Sequence, residues 1–536
     1  MDQVRTLGMR EPVRPYCTPS GDRMKLTQLL AALDSHDLHG DGAVEIKALT
    51  CDSRGIVPDS LFFALRGAAM DGHDFIPAAV QAGAVAVVLE DESRAPAAIP
   101  WVRVRDGRSA MAWMAAEFHG NPTSRLPLIG ITGTNGKTTT TYLIEAILRA
   151  AGIPAAVLGT ISYRFGDTVI TASHTTPEST ELQAAFTQLA AAGAKAFVME
   201  VSSHALEQKR VDGCHFDVGI FSNLTRDHLD YHVTMESYRE AKLRLFSELL
   251  KPTADKPLRR AAINMDDEQG ATVAARAACP VIGYGICRGD VRAEELSLSV
   301  DGIRARLVTP KGSIDVSSRL LGRFNLSNIL AAVSAGIALD LPLEAIRAGI
   351  EGHATVPGRM ERVDNRCGIT LLVDYAHTGD ALENVLTTLK ELAQGRIITV
   401  FGCGGDRDPG KRPIMGRIAA SMSDLAIVTS DNPRTEDPFS ILEQIRGGIT
   451  PLGIREYGVD ELADRSGKGL AEGADKGFVS LENRREAISL AVRLARPGDI
   501  VLLAGKGHED YQIIGRTKHH FDDREEARLA LAEKEG

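Results

Sequence analysis

Short apolar runs alternate with helical patterns along most of this chain. Between residues 26 and 127, runs at 61–65 and 84–89 are interleaved with helical spacing at 111–118, which predicts a small α/β module. Residues 126–132 form a β-like run, followed by a Gly-rich loop. Leu143, Ile144, Ile147 and Leu148 then fall at helical spacing within 138–151. Further apolar runs at 196–201, 219–222 and 260–263, separated by helical patterns, predict a mostly parallel sheet. A third block begins near Val356, with strands expected at 370–374, 397–401, 425–429 and 499–504, again doubly wound. Residues 1–24, with Pro12, Pro15, Pro19 and Gly21, read as a loose leader, and 453–477 as a polar, Gly-rich surface insertion. The expected domains are therefore 25–125, 126–355 and 356–536, each α/β.

The length of 536 residues agrees with several domains, at roughly 150 residues each. Lys and Arg number 61 against 71 Asp and Glu, a net charge of −10, which argues against nucleic acid or an acidic membrane held by bulk charge. Seven cysteines, an odd number without a CxxC pair, fit a reducing cytosol better than a disulfide framework. No signal-peptide apolar region is present, and no uninterrupted apolar stretch of about 18 residues predicts a membrane span. A cytoplasmic monomer is expected.

The strongest chemical signal is GITGTNGKTTT, residues 130–140. Backbone N–H groups of a Gly-rich turn opening a helix can cradle phosphate oxygens; Lys137 adds a point charge and Thr138 a hydroxyl suited to Mg²⁺. Five residues separate Gly130 from Gly136, one more than in the common phosphate loop, so the generic pattern is only partly met. The bland alternative is an ordinary strand-to-helix turn. Glu200 ends an apolar run where a parallel sheet delivers side chains to its ligand edge, and a carboxylate there suits Mg²⁺. Position alone leaves a solvent-facing Glu equally open. His204 reads as a core or capping residue. Residues 227–246 are rich in groups that ligate metals or carry protons, with Tyr238, Leu245 and Phe246 available for packing; a lone helical Lys such as Lys242 is ordinarily a solvated charge.

Together these segments resemble the Mur ligase family. GTNGKT stands intact at 133–138, and matching segments run from Asp52-Ser53-Arg54 to Gly505-Lys506-Gly507-His508-Glu509. The resemblance implies three domains: one for a UDP-linked substrate, a central P-loop ATPase-type sheet, and a C-terminal Rossmann-like sheet for an incoming amino acid. It implies ATP held around Gly133, Thr134, Asn135, Gly136, Lys137, Thr138 and Thr139, with Asn325, Arg359 and Asp374, and with Asn328 in the same segment as Asn325. It implies UDP-N-acetylmuramoyl-L-alanyl-D-glutamate at Ser53, Thr175, Thr176, Ser202, Gln208 and Arg210. Lys242 matches the family's carbamylated lysine, an anionic oxygen ligand that would help Glu200 and His228 hold a second Mg²⁺, beside the one suited to Thr138. Lys137, Glu200, His228 and Lys242 form the implied catalytic set.

Three loops follow expected parallel strands of the third block: GCGGDRDPGKR, SDNPR and GKGHED. Loops at the carboxyl ends of parallel strands converge on one crevice. The first is only a weak dinucleotide fingerprint, since Arg407 stands in place of its third Gly, so no NAD is assigned. Asp431-Asn432-Pro433-Arg434 equals the motif with which the family takes meso-2,6-diaminopimelate, and Arg407, Gly505 and Glu509 match its other contacts. Diaminopimelate carries a second carboxylate that a guanidinium can bind through two bonds. Lysine would leave that fork unpaired, at about 1 to 3 kcal/mol. Glu509 suits an ammonium group.

The resemblance thus implies ATP-driven amide synthesis through an acyl phosphate, in peptidoglycan and cell-wall biogenesis, with its bearing on cell shape and division. The alternatives are a lysine-adding Mur ligase, a folylpolyglutamate synthetase-like ligase, whose substrate does not call for the DSR, HTTPE and DNPR segments, and a nucleotide-dependent switch. The NKxD segment expected of a GTPase switch is not found.

Overall fold

In a computed structural model the chain is described at residues 16–17, 23–67, 70–353, 355–463 and 476–535. It divides into two compact units. One comprises residues up to 293 with 308–313 and 327–349; the other comprises 294–307, 314–326 and the chain from 350 onward. Three sheets centre the α/β domains, two of them in the first unit.

The first sheet contains β1 (Tyr16–Cys17), β2 (Asp37–His39), β3 (Ala48–Thr50), β4 (Ser60–Phe63), β5 (Ala84–Leu89) and β6 (Trp101–Arg103), in spatial order β1-β3-β4-β5-β6-β2. Tyr16–Cys17 pairs antiparallel with Ala48 and Leu49, so the expected leader is not loose throughout: part of it supplies an edge strand. Met24, at the end of that leader, also pairs antiparallel with Ile46; residues 1–15 and 18–22 lie outside the described residues. Helix α1 (Gly107–Phe118) begins earlier than the apolar pattern suggested because Asp106 caps it, its carboxylate accepting from Ser109 N.

The second sheet is built from β7 (Leu128–Thr132), α2 (Lys137–Ala150), β8 (Ala155–Leu158), β9 (Tyr163–Phe165), β10 (Thr168–Ile170), α3 (Ser179–Ala191), β11 (Ala196–Glu200), α4 (Ser203–Glu207), β12 (Val218–Phe221), α5 (Met235–Arg244), β13 (Arg260–Asn264) and β14 (Val281–Tyr284). Its order is β10-β9-β8-β11-β7-β12-β13-β14, parallel from β8 to β14. Strand β7 is central and wholly buried, which is why its sequence runs apolar without alternation. Leu143, Ile144, Ile147 and Leu148 of α2 are buried, each burial contributing about 1.5 to 3 kcal/mol. The register sets Glu200 beside Ile131 and Phe221 beside Thr132, so the ends of β11 and β12 flank the Gly-rich loop.

In the second unit lie β15 (Glu361–Val363), β16 (Thr370–Asp374), α6 (Gly379–Leu392), β17 (Ile397–Phe401), α7 (Lys411–Met422), β18 (Leu425–Val428), α8 (Pro438–Ile449), β19 (Arg455–Glu456), β20 (Gly477–Ser480), α9 (Arg484–Leu494), β21 (Ile500–Ala504), the hairpin β22 (Tyr511–Ile514) and β23 (Thr517–His520), and α10 (Asp523–Glu535). The sheet order is β15-β16-β21-β17-β18-β20-β19, with only β15 antiparallel. The expected insertion at 453–477 needs correction. Arg455–Glu456 is an edge strand, and Tyr457 and Leu462 are buried in the core beneath this sheet, so two apolar residues anchor a segment whose composition is otherwise polar. Residues 464–475 lie outside those described.

Among the described residues no helix is long and apolar enough to cross a membrane. Cys51, Cys214, Cys279, Cys287, Cys367 and Cys403 are free thiols.

Candidate functional site

The Gly-rich loop joins β7 to α2 and depends on two glycines. Gly133 has φ +148°, and a Cβ there would lie 2.0 Å from Ser222 Oγ; Gly136 has φ +86°, and its Cβ would lie 2.3 Å from Asn328 Oδ1. Backbone approach this close leaves no room for a side chain. The segment after β12 backs the loop. Asn223 Oδ1 accepts from Asn135 N at 2.9 Å, Asn223 O accepts from Thr134 N at 2.9 Å, and Ser222 Oγ donates to Asn135 O at 2.7 Å. Sequence reasoning missed Ser222 and Asn223. The available signal was their place just after a buried parallel strand.

Lys137 Nζ donates to Gly133 O at 3.0 Å and Thr134 O at 2.8 Å, folded over the loop it opens. Lys242 is buried rather than solvated: its Nζ donates to the same Gly133 O at 2.9 Å and lies 4.5 Å from the centre of the Tyr238 ring. Burial, reinforced by the charge of Lys137, holds the Lys242 amine well below the ordinary lysine range, against the opposing pull of Asp227. Tyr238 reaches Thr134 Oγ1 at 3.2 Å, and burial pushes its phenol up to about 12.

Glu200 is buried at the end of β11. Its Oε1 accepts from Thr138 Oγ1 at 3.0 Å and Thr160 N at 3.0 Å, and its Oε2 accepts from Thr160 Oγ1 at 3.1 Å. The carboxylate and the Thr138 hydroxyl thus stand together beside the loop, a donor set of the kind Mg²⁺ takes. His228 has φ +53° and sits ahead of a short helix, Leu229–His232; its ring meets the His204 ring at 4.9 Å and Tyr238 at 6.0 Å. Among the described residues no three His, Cys, Asp or Glu side chains are grouped to hold a metal ion. A cation beside Glu200 therefore needs Thr138, phosphate oxygens or a modified Lys242 to complete its shell.

The HTTPE and EVSSHALEQKR segments meet at the same strand end. Thr176 Oγ1 donates to Glu200 O at 2.8 Å and accepts from Ser202 N at 3.0 Å, and Thr175 Oγ1 lies 3.1 Å from Thr160 Oγ1. Arg210 Nη1 donates to Thr176 O at 2.9 Å, its Nη2 donates to Gln208 Oε1 at 2.7 Å, and its Nε pairs with Glu178 at 3.1 Å. Ser202 also caps α4, its hydroxyl accepting from Ala205 N. Thr175, Thr176, Ser202, Gln208 and Arg210 are thus one hydrogen-bonded group around Glu200. Thr160 was not singled out from sequence. Ser53 stands on the other sheet, in the turn after β3, where Asp52 caps the turn and pairs with Arg54 at 2.7 Å.

Asn325, Arg359 and Asp374 belong to the second unit. Asn325 is buried and its side-chain amide donates to Leu321 O at 2.9 Å. Asp374, at the end of β16, accepts from Met360 N at 2.7 Å and Ala376 N at 2.8 Å; burial raises its carboxyl, and the Arg359 charge opposes that. Arg359 lies over the Tyr375 ring at 5.1 Å.

Strands β17, β18 and β21 are neighbours or next neighbours in the sheet, and their loops meet. Asn432 Nδ2 donates to Glu509 Oε2 at 3.0 Å; Arg434, with φ +52°, donates through Nη1 to Gly405 O at 2.7 Å. Pro433 is buried between them, its carbonyl close against Gly405. Gly505, with φ +116°, donates through N to Asp374 O at 3.0 Å, next to Asp431. Glu509 is half-buried, and burial, then the Asp431 carboxylate, push its carboxyl up. Arg407 donates to its neighbour's Asp406 O at 3.2 Å and is exposed, but its Cγ and the Arg434 guanidinium both border Gly404. A residue not singled out for a role, Lys506, is buried at the centre of this cluster.

A Gly-rich strand-to-helix loop on a parallel sheet, with a buried carboxylate at the adjacent strand end, is the geometry of phosphate-binding α/β enzymes. Three family models cover the chain in succession: Mur ligase family, catalytic domain, over residues 45–119; Mur ligase middle domain over 131–336; and Mur ligase, glutamate ligase domain, over 358–507. The chain belongs to the Mur ligase family. It is 62% identical over 512 residues to UDP-N-acetylmuramoyl-L-alanyl-D-glutamate–2,6-diaminopimelate ligase of Geobacter metallireducens, covering 95% of this chain and 99% of the relative. The enzyme of the same name from Geobacillus kaustophilus is 46% identical over 95% of this chain and 100% of its own length. A solved structure of an enzyme of that name superposes with a TM-score of 0.69 at 33% identity, covering 96% of this chain and all of that one.

Proposed function

We propose that this protein is an ATP-dependent ligase that joins meso-2,6-diaminopimelate to the D-glutamate carboxylate of UDP-N-acetylmuramoyl-L-alanyl-D-glutamate, a step of peptidoglycan synthesis in the cytoplasm. The observation that carries the reading is the meeting of Asn432 with Glu509 and of Arg434 with Gly405, from the three loops that follow β17, β18 and β21 of one sheet, in a chain 62% identical to an enzyme named for that reaction.

The residues divide the chemistry between them. The amides of residues 133–138 and the Lys137 ammonium bind the ATP phosphates, and the Thr175, Thr176, Ser202, Gln208 and Arg210 group orients the dipeptide beside Glu200. A carboxylate oxygen attacks the γ-phosphorus, the bond to the β-γ bridging oxygen breaks, and ADP leaves with an acyl phosphate formed. Lys137 stabilises charge as the phosphoryl group moves. Thr138 and Glu200, with His228 and carbamylated Lys242, would hold Mg²⁺, which would further neutralise the phosphate charge. Burial among Tyr238 and Gly133 suits the uncharged Lys242 amine, the form that combines with CO₂. Glu509 and Asn432 hold the ammonium end of diaminopimelate and Arg434 a carboxylate. Its free amine attacks the acyl carbon, loses a proton, and phosphate departs. The assay is phosphate release with ATP, Mg²⁺ and the UDP-dipeptide, comparing meso-diaminopimelate with L-lysine. Diaminopimelate should be preferred; preference for lysine would overturn the role given to Arg434.

A further inference from the structure

Lys506 has no part in the chemistry above, yet it is the most enclosed charge of the amino-acid cluster, with a side chain 0% exposed. Its Nζ donates to Tyr511 O at 2.6 Å, Asp431 Oδ1 at 3.3 Å and Asn432 Oδ1 at 3.3 Å, and lies 3.8 Å from Glu509 Oε2. Three donors meet three acceptors, so the ammonium has no proton left to offer a substrate. Its bond to Asn432 also sets which way that amide points. Oδ1 accepts from both Lys506 and Ile513 N, the latter at 2.9 Å, so Nδ2 is the end that reaches Glu509.

We propose that Lys506 is the positioning residue of the amino-acid pocket: its buried ammonium lets Asp431 and Glu509 stand side by side as carboxylates, and thereby sets the affinity for the substrate's ammonium end. The inference rests on the ligase reading. Without the cation, the enclosed Glu509 carboxyl faces Asp431 with no ammonium beside it, and burial and the like charge both disfavour its ionised form. The other groups facing Glu509 are Asn432 and Arg434 from the loop after β18, Tyr375 from the loop after β16, Tyr511 of the hairpin, and Arg484 of α9. Arg484 is committed to Asp523 through bonds of 2.8 and 2.6 Å, and Arg434 to Gly405 O, so neither replaces Lys506.

The test is Lys506→Gln, which retains a donor for Tyr511 O and loses the charge. KM for diaminopimelate should rise roughly tenfold or more at about pH 7 and the ratio to wild type should shrink toward about pH 9, as Glu509 ionises. KM for ATP and for the UDP-dipeptide should stay within about twofold. An unchanged KM for diaminopimelate, or all three constants moving together with a fall in melting temperature, would overturn the proposal. Should the Gln variant not fold, Lys506→Arg keeps the charge and must keep KM for diaminopimelate within about threefold of wild type; a folded Arg variant with a tenfold rise refutes it equally. If the wild type forms no product from diaminopimelate, the ligase reading has failed and this inference falls with it. Product from the wild type with an unmoved Lys506→Gln enzyme removes this inference alone.

Discussion

Lys137 and Lys242 direct their amines at one oxygen, the carbonyl of Gly133, from 3.0 and 2.9 Å. Residues 105 positions apart in sequence are thus brought to a single point of the phosphate loop, one from the helix it opens and one from α5. Burial and the neighbouring Lys137 charge both disfavour the ammonium form of Lys242, while Lys137 also donates to Thr134 O.

Lys137→Ala should lower turnover by about 100- to 1,000-fold, the usual loss when one preorganised charge is removed from a reacting phosphoryl group. Melting temperature should be little changed. ADP formation in the presence of the UDP-dipeptide and diaminopimelate is the readout, and near-normal turnover would remove the phosphate-loop assignment.

Gly136→Ala combines a left-handed backbone with a clash against Asn328, whereas Gly152→Ala imposes φ +75° with nothing within 4 Å. Each should cost about 1 to 3 kcal/mol of stability through backbone strain. Only the first should also raise KM for ATP, by roughly tenfold, because only there must the loop shift. Equal effects of both on KM would show that the close approach of Asn328 plays no part.

Arg434→Lys preserves charge but not the planar fork. KM for diaminopimelate should rise about 10- to 100-fold, the worth of one charge-assisted bidentate bond. Activity with L-lysine should not fall in parallel. A parallel fall would make Arg434 a loop-building residue through its bond to Gly405 O.

His119 ends α1 with both ring nitrogens buried and without a partner among the described residues, and burial lowers its pKa to about 4. The unfolded value is higher, so as pH falls from about 6.5 toward 4 the unfolded chain takes up a proton that the folded chain refuses. Stability present above that window is lost within it, by about 3 kcal/mol. His119→Phe should therefore lose less melting temperature between about pH 7 and pH 5 than the wild type. An identical fall in both would show that the ring does not titrate with unfolding.

Much of this protein was written locally. Continuous apolar runs bounded by Gly, Asp and Asn marked the buried parallel strands, and several, such as Thr370–Asp374 and Ile397–Phe401, begin and end where the pattern does. Edge pieces were less legible. Tyr16–Cys17 and Arg455–Glu456 pair on one side only, so little in two residues distinguishes them from loop. Lys242 illustrates the same limit for the site. On an amphipathic helix a lone Lys reads as a solvated charge, yet its amine is buried against Gly133, more than a hundred residues earlier.

The amino-acid sequence alone determined the strand-loop-helix order, the Gly-rich loop after β7 and the three loops after β17, β18 and β21, because hydrophobic period and glycine placement act over a few residues. Only the tertiary structure decided that Asn223 holds the Gly-rich loop and Asn328 crowds Gly136, that Thr160 and Thr176 bind Glu200, and that Lys506 sits enclosed among Asp431, Asn432 and Glu509. Those pairings join residues distant in the chain, and the order and register of strands in a sheet are set by packing between segments rather than by either segment's own composition.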